Sequence, residues 1–259
     1  MTALVVDIGN SRIKWALARD SALQSSPQAV THDDIDSLWA AWARLKPAPV
    51  SARCVSVANP AMTASLADWM TQQWGISLEA VSTPATPALA GLTLGYTHPV
   101  QLGADRWLAM RAAQYQSLLP AMIIDAGSAI TIDYVDRHGQ HRGGLIMAGL
   151  SAQRAGLQAI TPALPQWSES PADGPPRLLA DNTVEGLRSG AINGTAAALD
   201  ELIHRLIQDT IQVEQGITPV AGKDSVLMTG GDAAVLAAAM RTPTQTHPNL
   251  VLEGLATIA

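Results

Sequence analysis

Hydrophobic and polar positions along the chain fall into a pattern that occurs twice. An apolar run, Ala3–Val6, ends at Asp7, passes through Gly9, Asn10 and Ser11, and resumes as Ile13–Ala18. A second run, Ala121–Ile124, ends at Asp125, passes through Gly127 and Ser128, and resumes as Ile130–Val135. Short apolar runs bounded by Gly, Asn and Asp predict strands joined by tight turns, so each copy reads as a β-hairpin with an aspartate at its tip.

The first half continues with a third strand near Gln24–Val30 and a helix from about Asp33 to Leu45. Thr31 or His32 starts that helix, and Asp33, Asp34 and Asp36 favour its positive end. A strand Arg53–Ala58 follows, then a helix Pro60–Trp74 with proline in its first turn and Gly75 closing it, then a strand Ile76–Val81. The stretch Pro84–Pro99 is punctuated by Pro and Gly, and a helix from about Asp105 to Gln116 comes next. In the second half a turn at His138–Gly139 leads to a strand Gly144–Met147 and a helix Ser151–Ile160. Thr161–Arg177 carries five prolines and reads as a surface loop. Asn182 caps a long helix, Thr183–Ile207, in which Gly186, Gly190 and Gly194 recur every fourth residue. That spacing predicts close backbone packing against a neighbour in this chain or a partner. A strand Val226–Met228 runs into Thr229-Gly230-Gly231-Asp232, a helix Ala233–Met240 follows, and the tail Leu250–Ala259 reads as a short strand and a final helix.

Two successive β-β-β-α halves, 1–118 and 119–259, imply an α/β fold built by duplication, with a nucleotide site expected in the cleft between them. Neither a Walker-A pattern nor G-x-G-x-x-G occurs: after Gly222-Lys223 stands Asp224, not Ser or Thr. P-loop and Rossmann chemistry are therefore disfavoured.

Composition narrows the partners. At 259 residues, 47% hydrophobic and 15% charged, the chain has ample material for a core and no call for global disorder. A net charge of −6 argues against a nucleic-acid surface, so any phosphate must be held by turns and a few placed cations. No apolar run approaches the ~20 residues that a membrane span needs. The N-terminus enters a strand without the pattern of a secretory leader, which makes the cytoplasm the expected compartment. Cys54, the single cysteine, lies in an apolar run and reads as a buried core residue. Seven Trp against no Phe has no functional explanation at this level.

The candidate chemistry lies in the turns. Turn amides hold phosphate oxygens without a cationic side chain, and an adjacent carboxylate suits the accompanying metal. In the first tip, Asp7, Ser11 and the amides offer this, and Lys14 is either a neutraliser of charge on a transferring phosphoryl group or a solvated strand lysine. Asp125, Gly127, Ser128 and Thr131 form the second tip, and two such tips would grip one nucleotide for phosphoryl transfer. Between them, Gly103-Ala104-Asp105-Arg106 sets a carboxylate and a guanidinium where loop becomes helix. The carboxylate suits acceptance of a proton from an attacking hydroxyl, and the guanidinium suits a substrate carboxylate. Read alone, the pair also fits a helix cap beside a surface arginine. Gly143-Gly144 and Gly230-Gly231 allow close approach to a ligand, the latter to an adenosine. His138 and His141 flank a turn without a third ligand and read as surface residues.

DIGNSRIK, YTHPVQLGADRW, DAGSAITID, GGLIMAG, NTVEGLRSG and TGGDA, in this order from Asp7 to the tail, resemble the type III pantothenate kinases, a family that includes Bvg accessory factors. The resemblance implies the duplicated actin-like fold of the acetate and sugar kinase superfamily. It also implies transfer of the ATP γ-phosphoryl group to the primary hydroxyl of pantothenate, the opening step of coenzyme A synthesis. By it, Asp105 is the proton acceptor, and Tyr96, Gly103, Ala104, Asp105, Arg106 and Thr183 contact pantothenate. Asp7, Ile8, Gly9, Asn10, Ser11, Arg12, Ile13, Lys14 and Ser128 contact ATP, and Asp125 ligates a monovalent cation, K⁺ or NH₄⁺. Mg²⁺ accompanies ATP, and the family forms homodimers whose partner helps enclose the pantothenate pocket. Ser128 stands where Thr is commoner, Ala148 where Pro usually precedes Gly149, and Gly186 where Ala is common. A related sugar kinase and a non-catalytic regulator are the alternatives. The first lacks sugar-binding carboxylate clusters beyond Asp105, and against the second Asp7, Asp105, Arg106 and Asp125 are all present.

Overall fold

The computed structural model describes residues 1–57, 60–86, 88–89, 91–168, 174–211 and 225–258. Ala58 at the end of one expected strand, part of the Thr161–Arg177 loop, Gly222-Lys223-Asp224 and Ala259 lie outside the described residues. Two compact units divide the chain: Met1–Leu118 with Gly139–His141 and Asn249–Ala259, and Leu119–His138 with Arg142–Pro248.

In the first unit the sheet contains β1 (Ala3–Ile8), β2 (Arg12–Arg19), β3 (Ala22–Leu23), β4 (Gln28–Thr31), β5 (Ser51–Ser56) and β6 (Leu78–Ala80). Their order is β3-β2-β1-β5-β6, with β4 also alongside β2. The hairpin partner β2 is antiparallel to β1, whereas β5 and β6 return through helices and run parallel. Those helices are α1 (Ile35–Ala43) and α2 (Pro60–Trp74). The sequence expectation for α2 matches end to end: proline opens it, and Gly75 closes it at φ +68. Ahead of α1, residues 32–34 form a single tight 3₁₀ turn, so the regular helix starts two residues later than Asp33.

The tryptophan excess has its explanation here. Trp42 is wholly buried and packs against Trp15, Trp39, Trp69 and Trp74, with ring centroids 5.6–6.2 Å apart. Bulky indoles fill the space between α1, α2 and the sheet, where phenylalanines would serve in another protein. Cys54 is buried in the same core, and burial pushes its thiol up to about 11.

Within the Pro84–Pro99 stretch a small hairpin forms, β7 (Ala88–Leu89) and β8 (Leu92–Thr93). Two-residue strands are too short to leave a periodic signal. Helix α3 (Ala104–Tyr115) follows and packs against the C-terminal helix Leu250–Ala256. The contact is close: a β-carbon on Gly254 would collide with the Leu108 carbonyl. The strand expected in the tail is not there; residues 250–256 are helical throughout. Leu250, Val251, Leu252, Leu255 and Ala256 are all buried, and an apolar run buried on every side has no period to separate helix from strand.

The second unit repeats the first. Its sheet contains β9 (Ala121–Ala126), β10 (Ala129–Val135), β11 (His141–Ala148), β12 (Ser225–Thr229) and β13 (Gln245–Thr246), ordered β11-β10-β9-β12-β13. The first two strands again form an antiparallel hairpin, and β12 and β13 run parallel beside β9. With β4 set aside as an extra strand beside β2, both sheets have the same order: third, second, first, then the two parallel strands. Helices α4 (Leu150–Ile160) and α5 (Thr183–Arg205) and the helix Ala233–Ala239 complete it. Even the solvent pattern is shared: in β1 and in β9, four buried residues precede a half-buried aspartate and a buried last residue.

Candidate active site

The first tip is built by register. β1 and β2 pair so that Asp7 faces Lys14 and Ile8 faces Ile13. Gly9 N–H donates to the Arg12 carbonyl at 3.0 Å, which closes the turn and leaves Asn10, Ser11 and Arg12 exposed. A β-carbon on Gly9 would press on that carbonyl at 3.3 Å. Ile8 and Ile13 are wholly buried, so their side chains belong to the core. Burial raises the Asp7 carboxyl to about 6; Lys14 pulls it down, and the negative charge of Asp105 pushes it further up. Asp7, Lys14 and Asp105 thus form one electrostatic group.

The loop before α3 is tied in place by the buried Thr83, whose hydroxyl donates to the Leu102 carbonyl at 2.7 Å. Gly103 then caps the helix with extended backbone, and Ala104 opens it. A β-carbon on Gly103 would collide with Asp105 Oδ1, so the glycine leaves the space that this carboxylate occupies. Asp105 Oδ1 accepts from the Arg106 N–H at 2.8 Å. Asp105 is therefore not the cap, which is Gly103, but a half-buried carboxylate within the first turn that bonds one of its amides. Arg106 is not a surface residue: it is 6% exposed, and its Nη1 donates to the Tyr96 hydroxyl at 2.8 Å. Its guanidinium carbon lies 5.6 Å from the centroid of the same ring.

His141, expected at the surface, is wholly buried. Its ring stacks on Tyr96 with centroids 5.7 Å apart and planes at 20°. The signal available in sequence was its place between turn-forming Gly139 and the Gly143-Gly144 pair, and that does not distinguish a buried ring from an exposed one. His138 does stay exposed.

In the second tip Gly127 N–H donates to the Ala129 carbonyl at 3.0 Å and Ser128 is exposed. Asp125 faces Thr131 across the hairpin, where the first tip sets a lysine opposite its aspartate. Gly149 N–H donates to the Ser128 carbonyl at 3.1 Å, and a β-carbon there would collide with the Gly127 carbonyl. Glycine is thus required at 149 with Ala148 before it as much as with proline. Gly230, at φ +95 between β12 and the following helix, passes so close to Asp125 and the Ala126 carbonyl that no side chain fits. Gly143, at φ +112, has open space where a β-carbon would stand. Thr183 is exposed at the first turn of α5, which Asn182 caps by accepting from Glu185 N–H at 3.0 Å. One turn on, the buried Arg188 pairs with Glu185 at 3.3 Å. Among the described residues no group of three or more His, Cys, Asp or Glu stands together as a metal site. Asp125 Oδ1 and the Ala126 carbonyl oxygen both come close to Gly230, and oxygen donors of this kind suit a hard cation.

Comparison with known proteins identifies the family and the fold. A family model for type III pantothenate kinases matches residues 3–205. The type III pantothenate kinase of Verminephrobacter eiseniae is 34% identical, over 100% of this chain and 97% of the relative. That of Nitrosomonas eutropha is 33% identical, over 99% of this chain and 93% of the relative. Among solved structures, a Baf family protein from Campylobacter jejuni matches with a TM-score of 0.55 at 22% identity, covering 98% of this chain and 96% of the other. The activator of the 2-hydroxyisocaproyl-CoA dehydratase from Clostridium difficile, solved with ADPNP, matches with a TM-score of 0.54 at 12% identity, covering 100% and 94%. At such identities the structures speak for the fold, the duplicated actin-like one that the two sheets display. With most of its length matched by the family model and its whole length by curated relatives, the chain belongs to the type III pantothenate kinase family.

Proposed function

We propose that the protein transfers the γ-phosphoryl group of ATP to the primary hydroxyl of pantothenate, yielding 4'-phosphopantothenate, the first step of coenzyme A biosynthesis. One observation carries the reading of the site: the first unit gathers Asp105, the buried Arg106–Tyr96 pair, and the Asp7–Lys14 pair into one neighbourhood. Asp105 accepts the proton of the attacking hydroxyl. Arg106, with Tyr96, Gly103, Ala104 and Thr183, holds pantothenate, the guanidinium taking its carboxylate. The turn from Asp7 to Lys14, together with Ser128, holds ATP with its Mg²⁺. Asp125 holds a monovalent cation, K⁺ or NH₄⁺, which supplies positive charge to offset phosphate repulsion. The setting is the cytoplasm.

The working form is a homodimer. On the second unit Ile160 is 83% exposed and Leu178 and Leu179 are each 89% exposed, with Ile146 and Val184 also at the surface. On α5, a β-carbon at Gly190 or Gly194 would meet nothing within 4 Å among the described residues. Gly186 meets Ala180 at 4.0 Å, but Gly190 and Gly194 are not used among the described residues, which favours the partner alternative for that end of the helix.

ADP release followed with pantothenate, glucose or glycerol as acceptor tests the reaction: turnover with pantothenate alone is expected, and equal turnover with glycerol would overturn it. Asp105→Asn keeps the shape but cannot take the proton, so kcat falls by ~10²–10⁴-fold with ATP affinity intact. A loss below about threefold would remove Asp105 from that role.

A further inference from the structure

Tyr96 lies between β8 and the turn at Pro99, in a stretch without regular secondary structure, and such a side chain is not held by its own backbone. What holds it is the tip of the β10–β11 turn. Thr93 N–H donates to the Gly139 carbonyl at 2.9 Å, and Thr93 and Gln140 form a parallel bridge. The Gln140 amide donates to the Thr93 carbonyl at 3.2 Å and to the His141 carbonyl at 3.1 Å. A β-carbon on Gly139 would collide with the Gly91 carbonyl, so this approach is as close as the backbone allows. The outcome is the buried His141 ring in an offset stack with Tyr96, whose hydroxyl accepts from Arg106.

We propose that His141 is a positioning residue for the acceptor substrate. It fixes the plane of Tyr96, and Tyr96 fixes the guanidinium of Arg106 that receives the pantothenate carboxylate. The inference rests on the reading of Arg106 given above. A bidentate guanidinium–carboxylate pair is directional, so a ring free to tilt costs affinity for the acid while leaving the nucleotide untouched. The property that matters is the flat ring.

Two substitutions separate ring from polarity. His141→Asn keeps a polar group of similar reach and removes the ring; His141→Phe keeps a ring and removes the polarity. Stacked aromatic pairs of this kind predict a rise of about 3- to 10-fold in KM for pantothenate with His141→Asn, KM for ATP unchanged, and near wild-type values with His141→Phe. In a Tyr96→Leu background the His141→Asn change adds nothing, because the residue acts through that ring. The proposal is overturned if His141→Asn moves KM for pantothenate by less than about twofold, if both KM values rise together, or if His141→Phe behaves as His141→Asn does. Arg106→Lys keeps the two questions apart. If it fails to raise KM for pantothenate selectively, the reading of Arg106 falls; if it succeeds while His141→Asn is silent, only the positioning role falls.

Discussion

Asp7 is held in a state that costs the fold stability, and removing its charge tests the cause. Its carboxyl is raised from 3.8 to about 6, chiefly by burial, with Asp105 adding repulsion and Lys14 returning part of the loss. Each tenfold change in an acid's dissociation constant is worth about 1.4 kcal/mol, so the ceiling is about 3 kcal/mol. The side chain keeps some contact with solvent at the end of β1, which lowers the expected effect to about 1–2 kcal/mol. The sign follows from the direction. The folded state binds the proton more tightly than the unfolded state, so the cost is absent below pH ~4. It builds as pH rises to about 6 and is fully present above that. Asp7→Asn mimics the protonated form at every pH. It is expected to be more stable than the parent by about 1–2 kcal/mol at pH 8, or roughly 2–4 °C in Tm, and equal to it near pH 4. Urea unfolding followed by tryptophan fluorescence reads the right unit, because six of the seven tryptophans, all but Trp167, lie in it. A variant less stable than the parent at pH 8, or a gap independent of pH, would refute the argument. Kinase activity is expected to fall in the same variant, a stability cost tolerated for function.

Other expectations follow from single contacts. Gly103→Ala drives a methyl into the Asp105 carboxylate, so kcat is expected to drop by about 10- to 100-fold with the fold intact; an unchanged kcat would show that this carboxylate is not placed by that gap. Exchange into buffer free of K⁺ and NH₄⁺ is expected to abolish most activity, and Asp125→Ala to blunt the response to added cation; full activity without either ion contradicts the assignment. Sedimentation at micromolar concentration is expected to give about 54 kDa, twice the 27.1 kDa chain, and a species of chain mass alone would exclude the dimer.

The frame of this fold was legible because it depends on periods and punctuation. Both hairpins, helix α2 with its proline and glycine ends, and the strand–turn–helix at Thr229–Ala233 all carry strong local signals. What was not legible depends on contacts made far along the chain. The tail Leu250–Ala256 becomes helix because α3 offers a surface that closes on Gly254. Arg106 carries a charge, and charge predicts a surface; the residue is 6% exposed and bonds Tyr96, a contact no local pattern announces. His141 was misread for the same reason, since turn glycines on either side mark a bend and say nothing of which ring waits beneath it.

The duplication also explains how one scaffold came to hold two different kinds of charge. β1 and β9 share length, exposure pattern and the place of their aspartate, and in each turn a glycine N–H donates to a backbone carbonyl at 3.0 Å. The turns differ in length, since the last paired positions are Ile8 and Ile13 in the first hairpin and Ala126 and Ile130 in the second. They differ also in what stands opposite the aspartate: register sets Lys14 against Asp7 and Thr131 against Asp125. In the first hairpin the protein supplies its own cation, covalently fixed and always present, and burial still leaves the carboxyl raised. In the second the facing residue contributes a hydroxyl, and under the proposed function the positive charge there comes from a dissociable ion. Under the proposed function, negative charge of ATP beside a carboxylate needs a balancing positive charge. A lysine provides it without regulation, and an ion provides it only when its concentration allows. On this argument Thr131→Lys in the second tip would supply in cis what the ion supplies in trans, and residual activity in cation-free buffer would rise above that of the parent; activity lost equally in both would mean that the ion's role is geometric and not electrostatic.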